Sequence, residues 1–128
     1  MKLLKIAFLL LSINCFATVS DIYDELADAI RAGDAHHIAG YFDGKVNLAL
    51  SNQEDVYSKA QAELLIKDFF SKNPTKSFAL VHKGSSKEGS LFAVGTLTCT
   101  NNKTFRVSIV MKSVKGSNTI QELRFENQ

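Results

Sequence analysis

The sequence is poor in cysteine, histidine and proline, and these scarcities exclude several classes of protein. The chain has one proline, and it contains neither an internal repeat nor a low-complexity segment. The two cysteines, Cys15 and Cys99, form no CxxC motif of the kind that binds structural zinc. His36 and His37 are adjacent, so on a helix they would point about 100° apart and could not share a metal ion. We therefore expect no metal and no cofactor.

An excess of positive charge is also lacking once the N-terminus is set aside. The formal net charge of +2 includes Lys2 and Lys5. Without residues 1–17, the 13 remaining basic residues equal the 13 acidic ones. No basic patch is left to support nucleic-acid binding. With 45% apolar and 22% charged residues, the 128-residue chain has the composition of one globular domain.

Residues 1–17 have the pattern of a signal peptide. Lys2 and Lys5 precede an apolar run at 6–13, and small residues stand at positions −3 and −1 of a cleavage site after Ala17. The run is too short for a transmembrane span, which needs about 20 residues. A lipid anchor on Cys15 is the alternative, but Asn14 is not the small residue expected before such a cysteine. We expect a secreted or periplasmic protein with a single domain over residues 18–128.

Three helices are predicted in the first part of that domain. Ser20 is the expected N-cap of the first helix and Gly33 its C-terminal stop. Asp34 is expected to cap a second helix from Ala35 to Phe42.

The third helix has the strongest signal in the chain. Ser58 and Gln61 form a capping box, and Pro74 ends the helix. Its apolar residues recur at the spacing of one helix face. They are Ala62, Leu65, Ile66, Phe69 and Phe70.

The remaining segments alternate as strands do. Residues 45–50 precede a polar turn and a short return at Val56 and Tyr57, and Asp43-Gly44 is a turn pair. Four further segments, at 76–83, 91–100, 103–113 and 118–126, are separated by Gly-rich or Asn-rich turns. Because one sheet face is apolar, helices must cover it, which predicts an α+β domain. This element order is similar to the NTF2-like superfamily, a cone in which a curved antiparallel sheet wraps three helices.

Seven short segments spread over the domain carry a resemblance to a known family. They are Val56–Glu63, Phe69-Phe70 with Pro74, Phe78, His82–Gly84, Gly95–Leu97, Thr104–Val107 and Leu123–Glu126. With these segments, the chain from about Asp24 to Glu126 resembles the DUF4783 type of secreted Bacteroidetes proteins. The resemblance implies an NTF2-like fold and a location outside the cytoplasm. It implies no activity, because the family has none established.

Four residues are candidates for catalysis. Asp43, Asp55 and Tyr57 match by residue type the aspartate and tyrosine that ketosteroid isomerase directs at a carbonyl in a dry pocket. The structural interpretation places both aspartates in turns and Tyr57 in a contact beside the helix cap. His82 is expected on the strand face of Phe78, where it could serve as an acid or base or simply accept a hydrogen bond near Gly84.

Binding candidates lie on the opposite sheet face. Arg106 and Arg124 are either cross-strand partners of Glu122 and Glu126 or a surface for an acidic partner. Tyr57 and His82 are the other ligand-binding candidates. Cys99 is expected to be a small buried residue and not a nucleophile.

Three functions follow from this pattern. The first is a non-catalytic module that binds a small apolar ligand in the cone or a protein on the sheet. The second is an isomerase or dehydratase of the ketosteroid-isomerase kind. The third is a structural interaction module that forms a homodimer through the sheet. Titratable side chains converging inside the cone would favour catalysis, and a filled apolar interior would favour a protein partner.

Overall fold

The computed structural model describes residues 21–128, apart from the side chain of Val114. The predicted signal peptide, Cys15 and Ser20 lie outside the described residues. The elements are α1 (Ile22–Ala32), α2 (Ala35–Ala39), β1 (Phe42–Leu50), β2 (Gln53–Ser58), α3 (Lys59–Lys72), β3 (Thr75–Ser85), β4 (Ser90–Cys99), β5 (Thr104–Val114) and β6 (Ser117–Asn127). Over this part of the chain, no helix is long and apolar enough to cross a membrane.

The strands form one curved sheet of six, in the order β2-β1-β6-β5-β4-β3. β3 to β6 make the predicted antiparallel meander. β1 pairs in parallel with β6, which the turn signals did not indicate. The helices pack on the concave face of the sheet, so the predicted α+β class and NTF2-like architecture are confirmed.

Helix α3 begins and ends as predicted and fills the concave side of the sheet. The Oγ of Ser58 accepts from the Gln61 backbone N–H at 3.3 Å, and Gln61 accepts from the Ser58 N–H at 3.4 Å. The Phe69 ring lies 5.0 Å from the Phe105 ring and 4.7 Å from that of Phe125. Burying a side chain of this size contributes about 2 kcal/mol, so α3 is the centre of the core.

Helix α1 has the predicted C-cap and a different N-cap. Gly33 adopts φ 61°, the left-handed conformation that ends a helix. The N-cap is Asp21, whose carboxylate accepts from the Asp24 backbone N–H at 2.9 Å. The prediction of Ser20 was wrong by one residue, because the charged acceptor of Asp21 also complements the helix dipole.

Two boundaries differ from prediction at the start of β1. Helix α2 ends at Ala39, and Phe42 is buried in β1 instead of in a helix. Asp43 and Gly44 lie within β1 and form no turn. Gly44 has φ 70°, and the pairing of β1 with β6 shifts register between Phe42 and Asn47. A glycine with positive φ makes a β-bulge as readily as a turn, which explains the error.

Candidate functional site

A β-bulge at Val81 decides where the His82 side chain lies. Leu80 pairs with Gly95 and His82 with Val94, so Val81 is an extra residue on β3. After the bulge, each side chain of β3 lies on the face opposite to the one that simple alternation from Phe78 would give it. The prediction that His82 shares a face with Phe78 and Leu80 is therefore wrong: Phe78 is buried in the core, and His82 is exposed on the convex face.

On the convex face, His82 belongs to a small cluster with Phe92. The two rings lie 5.5 Å apart. Phe92 also covers Gly84, and a Cβ at Gly84 would lie 2.8 Å from the Cε1 of that ring. Phe92 keeps 37% of its surface exposed even so. The cluster therefore presents an aromatic edge to the solvent.

The convex face continues from this cluster across β4 and β5. We use "convex patch" for Phe92, Val94, Thr96 and Thr98 of β4 with Ser108 and Val110 of β5. Apart from the exposed Phe92, these side chains are half-buried, and the helices pack on the other side of the sheet. This apolar and hydroxyl surface, with the charge of Arg106 beside it opposite Thr96, suits contact with another protein.

Charged side chains border the convex patch on β6. The Arg124 guanidinium contacts three carboxylates, at 2.6 Å from Glu54, 2.9 Å from Glu126 and 3.2 Å from Glu122. The hydrogen bonds that Arg124 donates to Glu54 and then to Glu126 raise its pKa. The predicted partners Glu122 and Glu126 do pair with Arg124, but they lie along the same strand, β6, and not across strands as predicted, and Glu54 is an additional partner from β2. Since three carboxylates surround one cation, this corner is negatively charged.

Arg106, the second predicted arginine, is exposed and makes no ion pair among the described residues. Its Cα partner in the β5–β6 ladder is Glu126, but the Glu126 carboxylate bonds to Arg124 instead. Arg106 therefore leaves an uncompensated positive charge on the convex face, close to the acidic corner.

The candidate catalytic residues Asp43, Asp55 and Tyr57 lie on β1 and β2, and neither aspartate is in the predicted turn. Asp55 of β2 pairs with Leu48 of β1, and Leu48 is five residues from Asp43. The two aspartates are therefore about 16 Å apart along the strands. The Asp55 carboxylate accepts from the Val56 backbone N–H at 2.7 Å. Both aspartates are exposed, so no dry pocket surrounds them.

Tyr57 lines a shallow apolar groove and does not approach His82. The groove has a volume of about 250 Å³ and includes Leu64 and Leu65 of α3. β2 and β3 are the two edges of the sheet, with four strands between them. The structure thus places Tyr57 and His82 at opposite edges, and they do not form one site.

Hydrocarbon side chains occupy the concave interior. Phe69, Phe70, Phe105 and Phe125 contact one another there, and the largest fully buried side chains are all apolar. Within residues 21–128, the single buried polar residue is Asn73, which donates to the Phe69 carbonyl at 3.0 Å. Apart from the thiol of Cys99, the interior therefore holds no titratable side chain in the part of the chain described.

Cys99 lies in this interior, as predicted. It is buried on the concave face of β4, and burial raises the pKa of its thiol. Because the thiolate is the reactive form, this environment suppresses nucleophilic chemistry.

The adjacent histidines near α2 have separate partners. The Nδ1 of His36 lies 2.7 Å from a Glu63 carboxylate oxygen, and the His37 ring stacks on Tyr41 at 5.8 Å. Tyr41 donates to Glu25 at 2.8 Å. Over residues 21–128, no three histidine, cysteine or acidic side chains converge as a metal site would require. Both histidines therefore serve local contacts at the surface.

The comparisons with known proteins agree with this architecture. The model of a domain of unknown function, DUF4783, matches residues 23–126. The chain belongs to the DUF4783 family. A DUF4783 family protein from Bacteroides ovatus is 30% identical, with a TM-score of 0.75 over 81% of this chain and 93% of its own. A DUF4783 family protein from Bacteroides uniformis is 26% identical, with a TM-score of 0.78 over 84% of this chain and 98% of its own. An NTF-2 like protein of unknown function from Silicibacter pomeroyi shares the fold at 11% identity. Its TM-score is 0.58 over 83% of this chain and 89% of its own. Among curated proteins, none matched the chain.

Proposed function

We propose that this DUF4783 protein is an extracytoplasmic, non-catalytic module that binds another protein through the convex patch. The observation behind this proposal is the filled interior combined with an uncovered outer face. The space where an NTF2-like cone could hold a small ligand contains Phe69, Phe70, Phe105 and Phe125. The convex patch, in contrast, has no element packed on it among the described residues.

The proposed location follows from the N-terminal pattern. Residues 1–17 would be removed as a signal peptide, leaving the domain of 18–128 with Cys99 as its one cysteine. A lone cysteine forms no internal disulfide, so the apolar core would stabilise the secreted domain unaided. Mass spectrometry of the protein from its native cell is expected to give Thr18 as the first residue. A diacylglyceryl group on Cys15 would contradict simple secretion.

The enzyme alternative has less support from the geometry. An isomerase or dehydratase of the ketosteroid-isomerase kind needs a carboxylate and a hydroxyl aimed at one carbonyl in a water-free site. Asp43, Asp55 and Tyr57 lie at or near the solvent-exposed edge of the sheet, and His82 is on the other face. They remain the catalytic candidates of that alternative.

Site-specific photocrosslinking in the native cell tests the binding proposal. A photoreactive amino acid at Thr96 lies within the convex patch, and one at Lys67 on α3 is the matched control on the opposite side of the molecule. We expect a discrete protein adduct from position 96 and none of that mass from position 67. Equal adducts from both positions, or adducts at 67 alone, would refute the assignment of the convex patch.

A homodimer through the same face is the second candidate, and the charge distribution favours it. Arg106 has no acidic partner among the described residues, whereas Arg124 is surrounded by Glu54, Glu122 and Glu126. A twofold arrangement could therefore place the Arg106 of each copy near the acidic corner of the other. Sedimentation equilibrium of the purified protein separates the two candidates. A dimer that the Arg106→Glu substitution dissociates would support the homodimer. A protein that stays monomeric at all concentrations would exclude it.

A further inference from the structure

We infer that the groove between α1 and the free edge of β3 binds an extended peptide that carries a lysine or arginine. We call this groove the edge slot. Its lining includes Asp24 and Ala27 from α1 and Leu80, Val81 and His82 from β3, with a volume of about 500 Å³. It shares no residue with the convex patch, although its His82 contacts Phe92 of that patch, and the inference does not depend on the proposed function.

Two hydrogen bonds define the ends of the edge slot. The Tyr23 hydroxyl donates to the Gly84 carbonyl at 2.8 Å, and the Nε of Arg31 donates to the Phe78 carbonyl at 3.0 Å. The two bonded carbonyls belong to residues that pair with Leu97 and Phe92 of β4, five residues apart, so the strand between them is about 16 Å long. Ala27 lies midway on the helix, and its small side chain leaves the space between the two bonds open.

The floor of the edge slot is unpaired strand backbone. β3 is the last strand of the sheet, so its outer edge has no neighbouring strand in the part of the chain described. Between the two bonded carbonyls, no α1 side chain bonds to the backbone of Leu80, Val81 or His82. The bulge places Val81 here with 69% of its surface exposed. An extended peptide can pair with such an edge, and about five residues fit in the slot at 3.3 Å each.

The charges of the edge slot favour a basic side chain on that peptide. Two cations also line the slot, and each has an acidic neighbour: Arg31 is paired with Asp28 at 2.9 Å, and Lys83 lies 3.7 Å from Asp21. Asp24 lines the slot between these pairs, and its carboxylate contacts no cation among the described residues. A lysine or arginine opposite Asp24 would complete a third ion pair, whereas an acidic peptide would be repelled.

Amide chemical-shift mapping of the mature protein tests the inference with a capped pentapeptide of sequence TVKVT. We expect titration with this peptide to shift the amides of Leu80, Val81 and His82. A TVEVT peptide should bind about tenfold more weakly, because it places a carboxylate near Asp24. Asp24→Asn should weaken the lysine peptide about fivefold, whereas the control Asp68→Asn on α3 should leave its affinity unchanged.

Two methylated copies of the lysine peptide test the backbone pairing itself. One is methylated on the odd-numbered backbone nitrogens and the other on the even-numbered ones. Because a strand uses one edge for pairing, we expect one copy to lose binding and the other to retain it. Equal binding of the two copies would overturn the pairing. No shift of Leu80, Val81 or His82 at millimolar TVKVT, or shifts confined to the convex patch, would overturn the edge slot as a peptide site.

Discussion

The ring of Phe78 occupies the space that a side chain at Gly95 would need. Phe78 lies on β3 diagonally across from Gly95 on β4, and both face the core. A Cβ at Gly95 would lie 2.6 Å from the Cε2 of Phe78 and 2.8 Å from the Ala79 carbonyl oxygen. The absence of a side chain at Gly95 thus lets an aromatic ring lie flat on the sheet where the sheet curves.

We expect Gly95→Ala to lower the free energy of unfolding by about 1 to 3 kcal/mol, because both the ring and the strand backbone must move. Urea denaturation measures the change. In the Phe78→Leu background the smaller side chain relieves part of the clash, so Gly95→Ala should cost less there. An equal cost in both backgrounds would show that the ring does not determine the requirement for glycine.

The sequence was sufficient to predict those features that depend on neighbouring residues. The capping box of Ser58 and Gln61, the apolar face of α3 and the meander of β3 to β6 all follow from local spacing, and all are present. The bulge at Val81 does not, since nothing in an alternating segment shows which residue will be left unpaired. One unpaired residue moved His82 to the other face, and with it the composition of the candidate site.

Contacts between distant residues were equally beyond reach. Tyr23 bonds to Gly84 and Arg31 to Phe78 only because α1 lies beside the last strand, so the edge slot has no sequence signature. Alternation along β4 is enough to put Phe92 and Val94 on one face together. It does not show that the described helices all pack on the other face, which is what leaves the convex patch uncovered by them.

Alkaline pH is expected to destabilise the fold through Tyr41. Burial, and then the hydrogen bond to Glu25, raise the pKa of Tyr41 from 10.0 to about 12. The resulting stabilisation is complete below pH 10 and is lost as the pH rises through 12, because the unfolded chain releases this proton first. Unfolding free energies of the wild type and Tyr41→Phe, measured from pH 8 to 12, should differ in slope above pH 10. Identical slopes would show that Tyr41 ionises equally in both states.

Cys99 should resist modification in the folded protein. The thiol is buried and its pKa is raised by that burial, so little reactive thiolate is available. We expect the reaction with a thiol reagent at pH 8 to be limited by opening of the fold and to accelerate sharply in denaturing urea. Labelling of the native protein as fast as that of the unfolded chain would mean that Cys99 is accessible.

Arg124 and Arg106 should respond differently to alanine, although both are arginines on the convex face. Arg124 is 28% exposed and holds three carboxylates together, so Arg124→Ala leaves Glu54, Glu122 and Glu126 in mutual repulsion. We expect a loss of about 1 kcal/mol in the free energy of unfolding, partly restored by salt, because salt screens exposed charges.

Arg106→Ala removes no ion pair of the described residues and should change stability by less than about 0.5 kcal/mol. If Arg106→Ala lowered the free energy of unfolding as much as Arg124→Ala does, Arg106 would have to contact an acidic group, as the homodimer predicts. The loss of stability would then depend on protein concentration.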